Sequence, residues 1–341
     1  MLKMGIVGMG KMGEFHASWM TPENQLELTA ICEKNEDRIV QLRKKFPVPI
    51  FQNVDQFLNT DIDFAVIVTT HESHEALTIK ALNAGKNVIV EKPMSMTYES
   101  TIRMIEAAER NQKHLFVHQS SRWDRDFLLL KEVIQLGKIG ELLLVESNVT
   151  LCDKGWPSWG IEGMKNPWRV KAQYGGGMLY DWGPHLVDEI LVLMGKDPLG
   201  VYGVLQNGIW SKEVDDTFFC SMRFENNIVC IIKASNNGRL PAPRWYVMGT
   251  RGTFIVQGRN DPIWNDVEIL YEKEDGERMH EKIELIDVKE SGIEGGFYRD
   301  LVPFLEGKKK EFVSMYESSK VIKVLEMIKK SSQENRFIPN Y

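Results

Sequence analysis

A chain of 341 residues outgrows a single ordinary hydrophobic core, so two domains are expected. Its 43% hydrophobic and 26% charged residues are typical of a soluble globular protein, and no run approaches the ~20 apolar residues of a membrane span. Forty-two Lys and Arg against 48 Asp and Glu leave a net charge of −6 without a long basic block, which argues against nucleic acid as a partner.

The strand-like run Lys3–Val7 passes directly into Gly8-Met9-Gly10-Lys11-Met12-Gly13, and a helical stretch, Glu14–Trp19, follows. With a strand beginning at once, no signal peptide is expected. A second run, Leu26–Cys32, ends in Glu33, about 20 residues past the last glycine, as a dinucleotide fingerprint requires. Gly8 permits the tight turn, Gly10 lets a pyrophosphate approach the backbone, and Gly13 lets helix and strand pack closely. The helix N-terminus offers unpaired N–H groups to the phosphates. Glu33 accepts hydrogen bonds from the adenosine ribose hydroxyls and repels a 2′-phosphate. The cofactor expected is NAD, held by residues 8–13 and Glu33. Lys34 and Arg38 follow closely and keep NADP as the alternative.

Helical patterns at Asn35–Phe46, His74–Ala84 and Tyr98–Asn111 then alternate with strands at Phe64–Thr69, Val88–Glu91 and Leu115–His118. Continuous apolar runs such as Phe64-Ala65-Val66-Ile67-Val68 suit strands covered on both faces. Residues 1–120 therefore read as an α/β, doubly wound parallel-sheet domain. Beyond a helix near Asp124–Leu136 the pattern changes. Strand candidates at Leu142–Val149, Val201–Gln206, Thr217–Phe224, Ile228–Ser235, Trp245–Met248, Thr253–Gln257, Val267–Tyr271 and His280–Leu285 are separated by turn signals. Long helical patterns cover Gly177–Met194 and Met315–Ser331. Residues 121–341 thus form an expected α+β domain with a large, mostly antiparallel open sheet and helices on one face. A second subunit is the natural cover for the other face.

Three segments could build a reaction centre. Glu91-Lys92-Pro93 lies at the carboxyl end of a strand, the edge that faces the ligand crevice of an open α/β sheet. There a lysine can donate to a substrate oxygen, and Glu91 is assigned to the cofactor. Gly175–His185 carries Asp181 and His185 at i, i+4, on one face if the segment is helical, with Pro184 awkward inside a helix. A histidine near neutral pKa suits removal of a hydroxyl proton as hydride leaves a carbinol, and an aspartate can orient it. Pro167-Trp168-Arg169 can bind the C–H face of a sugar ring and its hydroxyls, so Trp168 and Arg169 are the substrate contacts backed here; Trp156 and Trp159 are expected to be core or interface. At the crevice edge, Thr69 and His74 are placed near the nicotinamide half. Histidines 16, 114, 118 and 280 join no recognisable constellation. Cys32, Cys152, Cys220 and Cys230 form no C-x-x-C pair and no metal-ligand spacing with histidine, so free thiols in a cytoplasmic protein and no metal are expected.

Together these residues resemble the Gfo/Idh/MocA oxidoreductases, named for glucose–fructose oxidoreductase, inositol dehydrogenase and a rhizopine catabolism protein. The resemblance runs through the glycine motif, Thr69–His74, Ala84–Val88, Glu91-Lys92-Pro93, Gly137–Glu141, Gly175–His185, Gly249–Gly252 and Phe297–Asp300. It implies a Rossmann domain joined to an open-sheet domain, a homodimer or homotetramer, and NAD-dependent oxidation of a sugar or cyclic-polyol hydroxyl. It assigns Lys92, Asp181 and His185 to the reacting hydroxyl, with His185 as acid/base. Where family members often carry an asparagine and arginines, Ser120 and Ser121 precede Arg122-Trp123-Asp124. The alternatives are an NAD-retaining glycosidase of the same family and a non-catalytic regulator that binds cofactor and ligand.

Overall fold

The computed structural model describes residues 1–151, 160–161, 167–257, 266–285 and 295–340. Cys152, Trp156 and Trp159 lie outside the described residues. Strands β1 (Leu2–Val7), β2 (Leu26–Cys32), β3 (Ile50–Phe51), β4 (Phe64–Ile67), β5 (Asn87–Glu91) and β6 (Leu115–His118) alternate with α1 (Lys11–Ser18), α2 (Glu36–Lys45), α3 (Val54–Leu58), α4 (His74–Asn83) and α5 (Tyr98–Asn111). The strands run parallel in the order β3-β2-β1-β4-β5-β6. All four β4 side chains are buried, as an apolar run sandwiched between helices requires. Strand order reverses between β1 and β4, which opens a crevice at their carboxyl ends and that of β5.

Downstream come α6 (Arg125–Gln135), β7 (Leu142–Thr150), α7 (Met178–Asp181), α8 (Gly183–Met194), β8 (Gly200–Gln206), β9 (Thr217–Arg223), β10 (Val229–Ser235), β11 (Pro243–Gly249), β12 (Gly252–Gln257), β13 (Asp266–Glu272), β14 (Arg278–Glu284), α9 (Gly296–Leu305), α10 (Met315–Glu334) and β15 (Ile338–Pro339). The described strands form a second sheet in the order β14-β13-β12-β11-β7-β10-β9-β8-β15, antiparallel except where β7 and β10 run parallel. Cross-strand register separates its faces. Met222, Cys230, Val145, Val247, Phe254 and Ile269 form one fully buried row. α8 packs against β10 and α10 against β8 on that side. Ile231, Glu146, Tyr246 and Ile255 line the opposite face and stay partly exposed.

Most expected elements agree to within a residue or two, and the differences have local causes. The strand expected to reach Thr69 stops at Ile67. The single helix expected over Gly177–Met194 is two, α7 and α8, broken at Trp182 because Pro184 fits only the first turn of a new helix. Two short elements, β3 and α3, escaped the sequence pattern, as did α9. α9 returns to the first sheet, where Phe297, Tyr298 and Leu301 bury with Met4, Ile6 and Phe64.

Beyond β8, Asp215 sets the start of α7. Its buried carboxylate accepts the Leu179 N–H at 2.8 Å. Gly177 has φ +101, and a Cβ there would run into the Asp215 carboxylate, so this turn admits only glycine. Burial raises the Asp215 carboxyl to about 7, with Asp216 adding to the rise. An unfolded Asp ionises near 3.9, so the folded chain binds the extra proton between these values. Its contribution is therefore present below the unfolded pKa and lost as pH rises to about 7. Asp215→Asn keeps the Leu179 acceptor but not the charge. Urea unfolding from pH 4 to 8 should show the variant gaining relative to the parent as pH rises, by at most ~4 kcal/mol. Parallel stability curves for the two proteins contradict this.

Candidate active site

Two of the three glycines of the dinucleotide turn are demanded by the protein itself. Gly8 follows β1 at φ +92, where a Cβ would meet the Val68 carbonyl. A Cβ on Gly13 would meet the Gly8 carbonyl, so helix and strand approach only without it. Gly10 differs: a Cβ there meets nothing within 4 Å. It stands at the N-cap of α1 and has no side chain to cap the helix. At the end of β2, Glu33 accepts from the Met9 N–H and the Asn35 N–H, each at 2.9 Å. This stations its carboxylate beside the turn. Arg38 is buried beneath the turn, with Nε on the Met9 carbonyl at 2.6 Å and its guanidinium on Glu14. Lys11 and Lys34 are exposed and Met12 is half-buried. The open space at Gly10, the start of α1 and the Glu33 carboxylate fit a dinucleotide.

The crevice edge between β4 and β5 is stapled by histidine. His74, fully buried, sits between the Pro93 carbonyl (2.8 Å) and the Thr69 carbonyl (3.2 Å) and ties β4 to the turn after β5. Burial lowers its pKa. The Thr69 hydroxyl meets the Ser73 hydroxyl at 2.6 Å. His71 reaches across to the Gly175 carbonyl at 2.8 Å, and the Trp168 ring packs edge-on against it with centroids 4.7 Å apart.

Just past the end of β5, Lys92 Nζ lies 2.6 Å from the Asp181 carbonyl and 3.2 Å from its carboxylate. The other Asp181 oxygen is 3.5 Å from Arg169 Nε, and the Arg169 guanidinium lies 4.4 Å over Trp168. One carboxylate is thus shared by two cations, and the backed residues Lys92, Asp181, Trp168 and Arg169 are brought together. Across the break at Trp182, His185 is 9% exposed and its Nδ1 lies 2.9 Å from the Ser121 hydroxyl.

The sequence reading missed Ser121, although the unusual Ser120-Ser121 pair was its signal. It also missed Arg122, which grips Asp188 of α8 through two bonds of 2.7 Å and locks the Ser121 turn to the His185 helix. Histidines 16 and 118, which joined no expected constellation, both meet the Glu91 carboxylate, at 2.8 and 2.7 Å. Nothing in the sequence signals this, because the three residues come from separate strands and helices.

Residues 2–119 match the family described as "Oxidoreductase family, NAD-binding Rossmann fold", and residues 127–255 match the "GFO/IDH/MocA C-terminal domain". The chain belongs to the Gfo/Idh/MocA oxidoreductases. It is a nicotinamide-dependent enzyme of that family. The scyllo-inositol 2-dehydrogenase (NADP(+)) of Bacillus subtilis is 25% identical over 354 residues, covering 99% of this chain and 95% of that protein. An NAD-binding protein from Listeria innocua superposes with a TM-score of 0.85 at 30% identity, over 99% of this chain and 97% of that one. Levoglucosan dehydrogenase, solved with NADH and levoglucosan, shares the fold of this Gfo/Idh/MocA chain with a TM-score of 0.83 at 19% identity, over 99% of each chain.

The glycines separate stability from binding. Gly13→Ala should lower unfolding stability by about 1–3 kcal/mol, the usual cost of overpacking. Gly10→Ala should leave the unfolding midpoint unchanged and weaken NADH binding in a fluorescence titration. Undiminished NADH affinity in Gly10→Ala would remove the turn from the cofactor site.

Proposed function

We propose that this oxidoreductase is a dehydrogenase of a sugar or cyclic polyol, with Lys92, Asp181 and His185 at the reacting hydroxyl. The observation that carries the reading is the contact of Lys92 Nζ with Asp181; His185, on the helix that follows, is anchored on Ser121. The names of the inositol and levoglucosan dehydrogenases among its relatives support a ring substrate rich in hydroxyls.

The turn at residues 8–13, with Glu33, Thr69 and His74 along the crevice edge, would hold the dinucleotide, whereas the Glu91 carboxylate, expected at the cofactor, is buried against His16 and His118. When bound, NAD supplies the hydride acceptor at nicotinamide C4. The protein's own groups manage the proton and the orientation. His185 takes the hydroxyl proton of the substrate, and Ser121 fixes the opposite ring nitrogen. The Lys92 ammonium donates to the same oxygen as negative charge builds on it. Asp181 aims the lysine and steadies Arg169, whose pairing with Trp168 offers a hydroxyl donor beside an apolar ring face. NAD is preferred over NADP because Glu33 stands where a 2′-phosphate would go and Arg38 is already engaged by Met9 and Glu14.

The same reading makes the enzyme a homo-oligomer, with the partly exposed face at Ile231, Tyr246 and Ile255 covered by a second copy. The described cysteines, 32, 220 and 230, are free and buried, in keeping with a reducing, cytoplasmic setting. No helix among the described residues is long and apolar enough to cross a membrane.

Incubated with a panel of sugars and cyclic polyols, the protein should form NADH faster than NADPH with at least one of them. His185→Ala should lose at least ~10²-fold in rate on that substrate; an unchanged rate would take His185 out of the mechanism. Light scattering should give a mass of two or four chains, and Ile231→Asp should lower it. A monomeric parent protein excludes the proposed interface.

A further inference from the structure

Behind the lysine lies a buried cluster that the reaction as described does not use. Glu91, the last residue of β5, is 6% exposed, and its carboxylate meets side chains from two other elements. Oε1 accepts from His16 Nε2 of α1 at 2.8 Å and from His118 Nδ1 of β6 at 2.7 Å. Oε2 accepts the backbone N–H of Lys92 at 3.0 Å. The other nitrogen of His16 meets the Tyr298 hydroxyl of α9. His16 and Tyr298 are fully buried and His118 is 2% exposed.

The proton inventory follows from donor and acceptor counting. An ionised carboxylate only accepts, so His16 carries its proton on Nε2 and His118 on Nδ1. His16 Nδ1 then accepts from the Tyr298 O–H. His118 Nε2 is buried without a partner among the described residues, which agrees with the proton residing on Nδ1. Burial favours the neutral acid at Glu91, but His118 and His16 outweigh it and hold the carboxyl well below its usual range. Burial lowers the pKa of His16. Every polar atom on the carboxylate side of the cluster is satisfied.

We propose that Glu91 is a positioning residue for Lys92: anchored by His16 and His118, its carboxylate holds the Lys92 backbone so that Nζ meets Asp181. The brace also joins the dinucleotide helix α1 to the reacting lysine and to β6, whose end leads into the Ser121 turn. The proposal rests on the dehydrogenase reading for its kinetic consequence, but its geometry can be tested without it.

Glu91→Gln is nearly isosteric, yet its amide cannot accept from both imidazoles and the Lys92 N–H without turning its NH₂ toward a donor. Its kcat should fall about tenfold or more while both KM values stay within about threefold, because only the placement of the lysine is disturbed. Lys92 should become faster to acylate with an amine reagent, read by peptide mass, since it is released from Asp181. Glutamine at 16 keeps a donor where His16 Nε2 stands, and asparagine at 118 keeps one where His118 Nδ1 stands. His16→Gln and His118→Asn should therefore retain most of the parental kcat, whereas leucine at either position should lose it. Imidazole ¹⁵N shifts of the parent should place the protons on His16 Nε2 and His118 Nδ1.

Three results overturn the brace. One is an unchanged kcat together with unchanged Lys92 acylation in Glu91→Gln; another is leucine variants that match the amide variants. The third is one divalent metal per chain, released by Glu91→Gln, which would make the three residues a metal site. A parent protein that oxidises no sugar would defeat the dehydrogenase reading alone; acylation and ¹⁵N shifts still judge the brace.

Discussion

Lys92, just past β5, and Asp181, at the end of α7, meet, and the site depends on that contact. Their side chains are 16% and 14% exposed, so each has lost most of its hydration. A pair in that situation adds little net stability, because desolvation offsets most of the attraction, but losing one partner strands the other. The contact is therefore better understood as a constraint on position. Lys92 enters from the rigid end of β5, whereas Asp181 closes a four-residue helix whose first turn is capped by Asp215 from the β8–β9 connection. Arg169 supplies a second cation to the same carboxylate. Neither group can shift without breaking an independent bond elsewhere.

Helix α8 extends the same logic to His185. Two consecutive carboxylates on it point different ways, and each is gripped by an arginine. Asp188 holds Arg122 from the Ser121 turn, while Glu189 holds Arg244 of β11, both fully buried. Arg244 stacks on Trp245 with its guanidinium 4.3 Å from the ring. Buried ion pairs of this kind are costly to assemble, but they leave a helix one seating. His185, one turn before them, takes its position from that seating, and Ser121 reaches it because Arg122 is held in place next door.

The cofactor turn divides its labour differently. Gly8 and Gly13 answer to the protein's own backbone, whereas Gly10 answers to nothing inside the chain. A glycine with empty space above it costs conformational entropy in the folding chain, and what it offers in exchange is room for a ligand. The engagement of Arg38 by Met9 and Glu14 is a fact of the fold rather than of composition. It turns a nearby positive charge, which in the sequence kept NADP open, into a support for the turn.

Much of this was legible from residue order. The parallel sheet followed from continuous apolar runs, the second sheet from strand candidates separated by turn signals, and the glycine turn with Glu33 from spacing, because each is a local pattern imposed by a neighbour-to-neighbour geometry. Lys92, Asp181 and His185 could be singled out by residue type and motif. Their meeting could not, nor could the break at Trp182, the return of α9 to the first sheet, or the Ser121 contact. Glu91 shows the limit most clearly. Its position at a strand end was plain, but the direction of its carboxylate was decided by two histidines and, through one of them, a tyrosine, up to 282 residues apart along the chain. Sequence alone determined which elements form and which residues stand at the crevice edge, since hydrophobic period and turn chemistry act over a few residues. Tertiary structure alone decided which of those side chains share a proton or a charge, since that depends on through-space distances that no local pattern encodes.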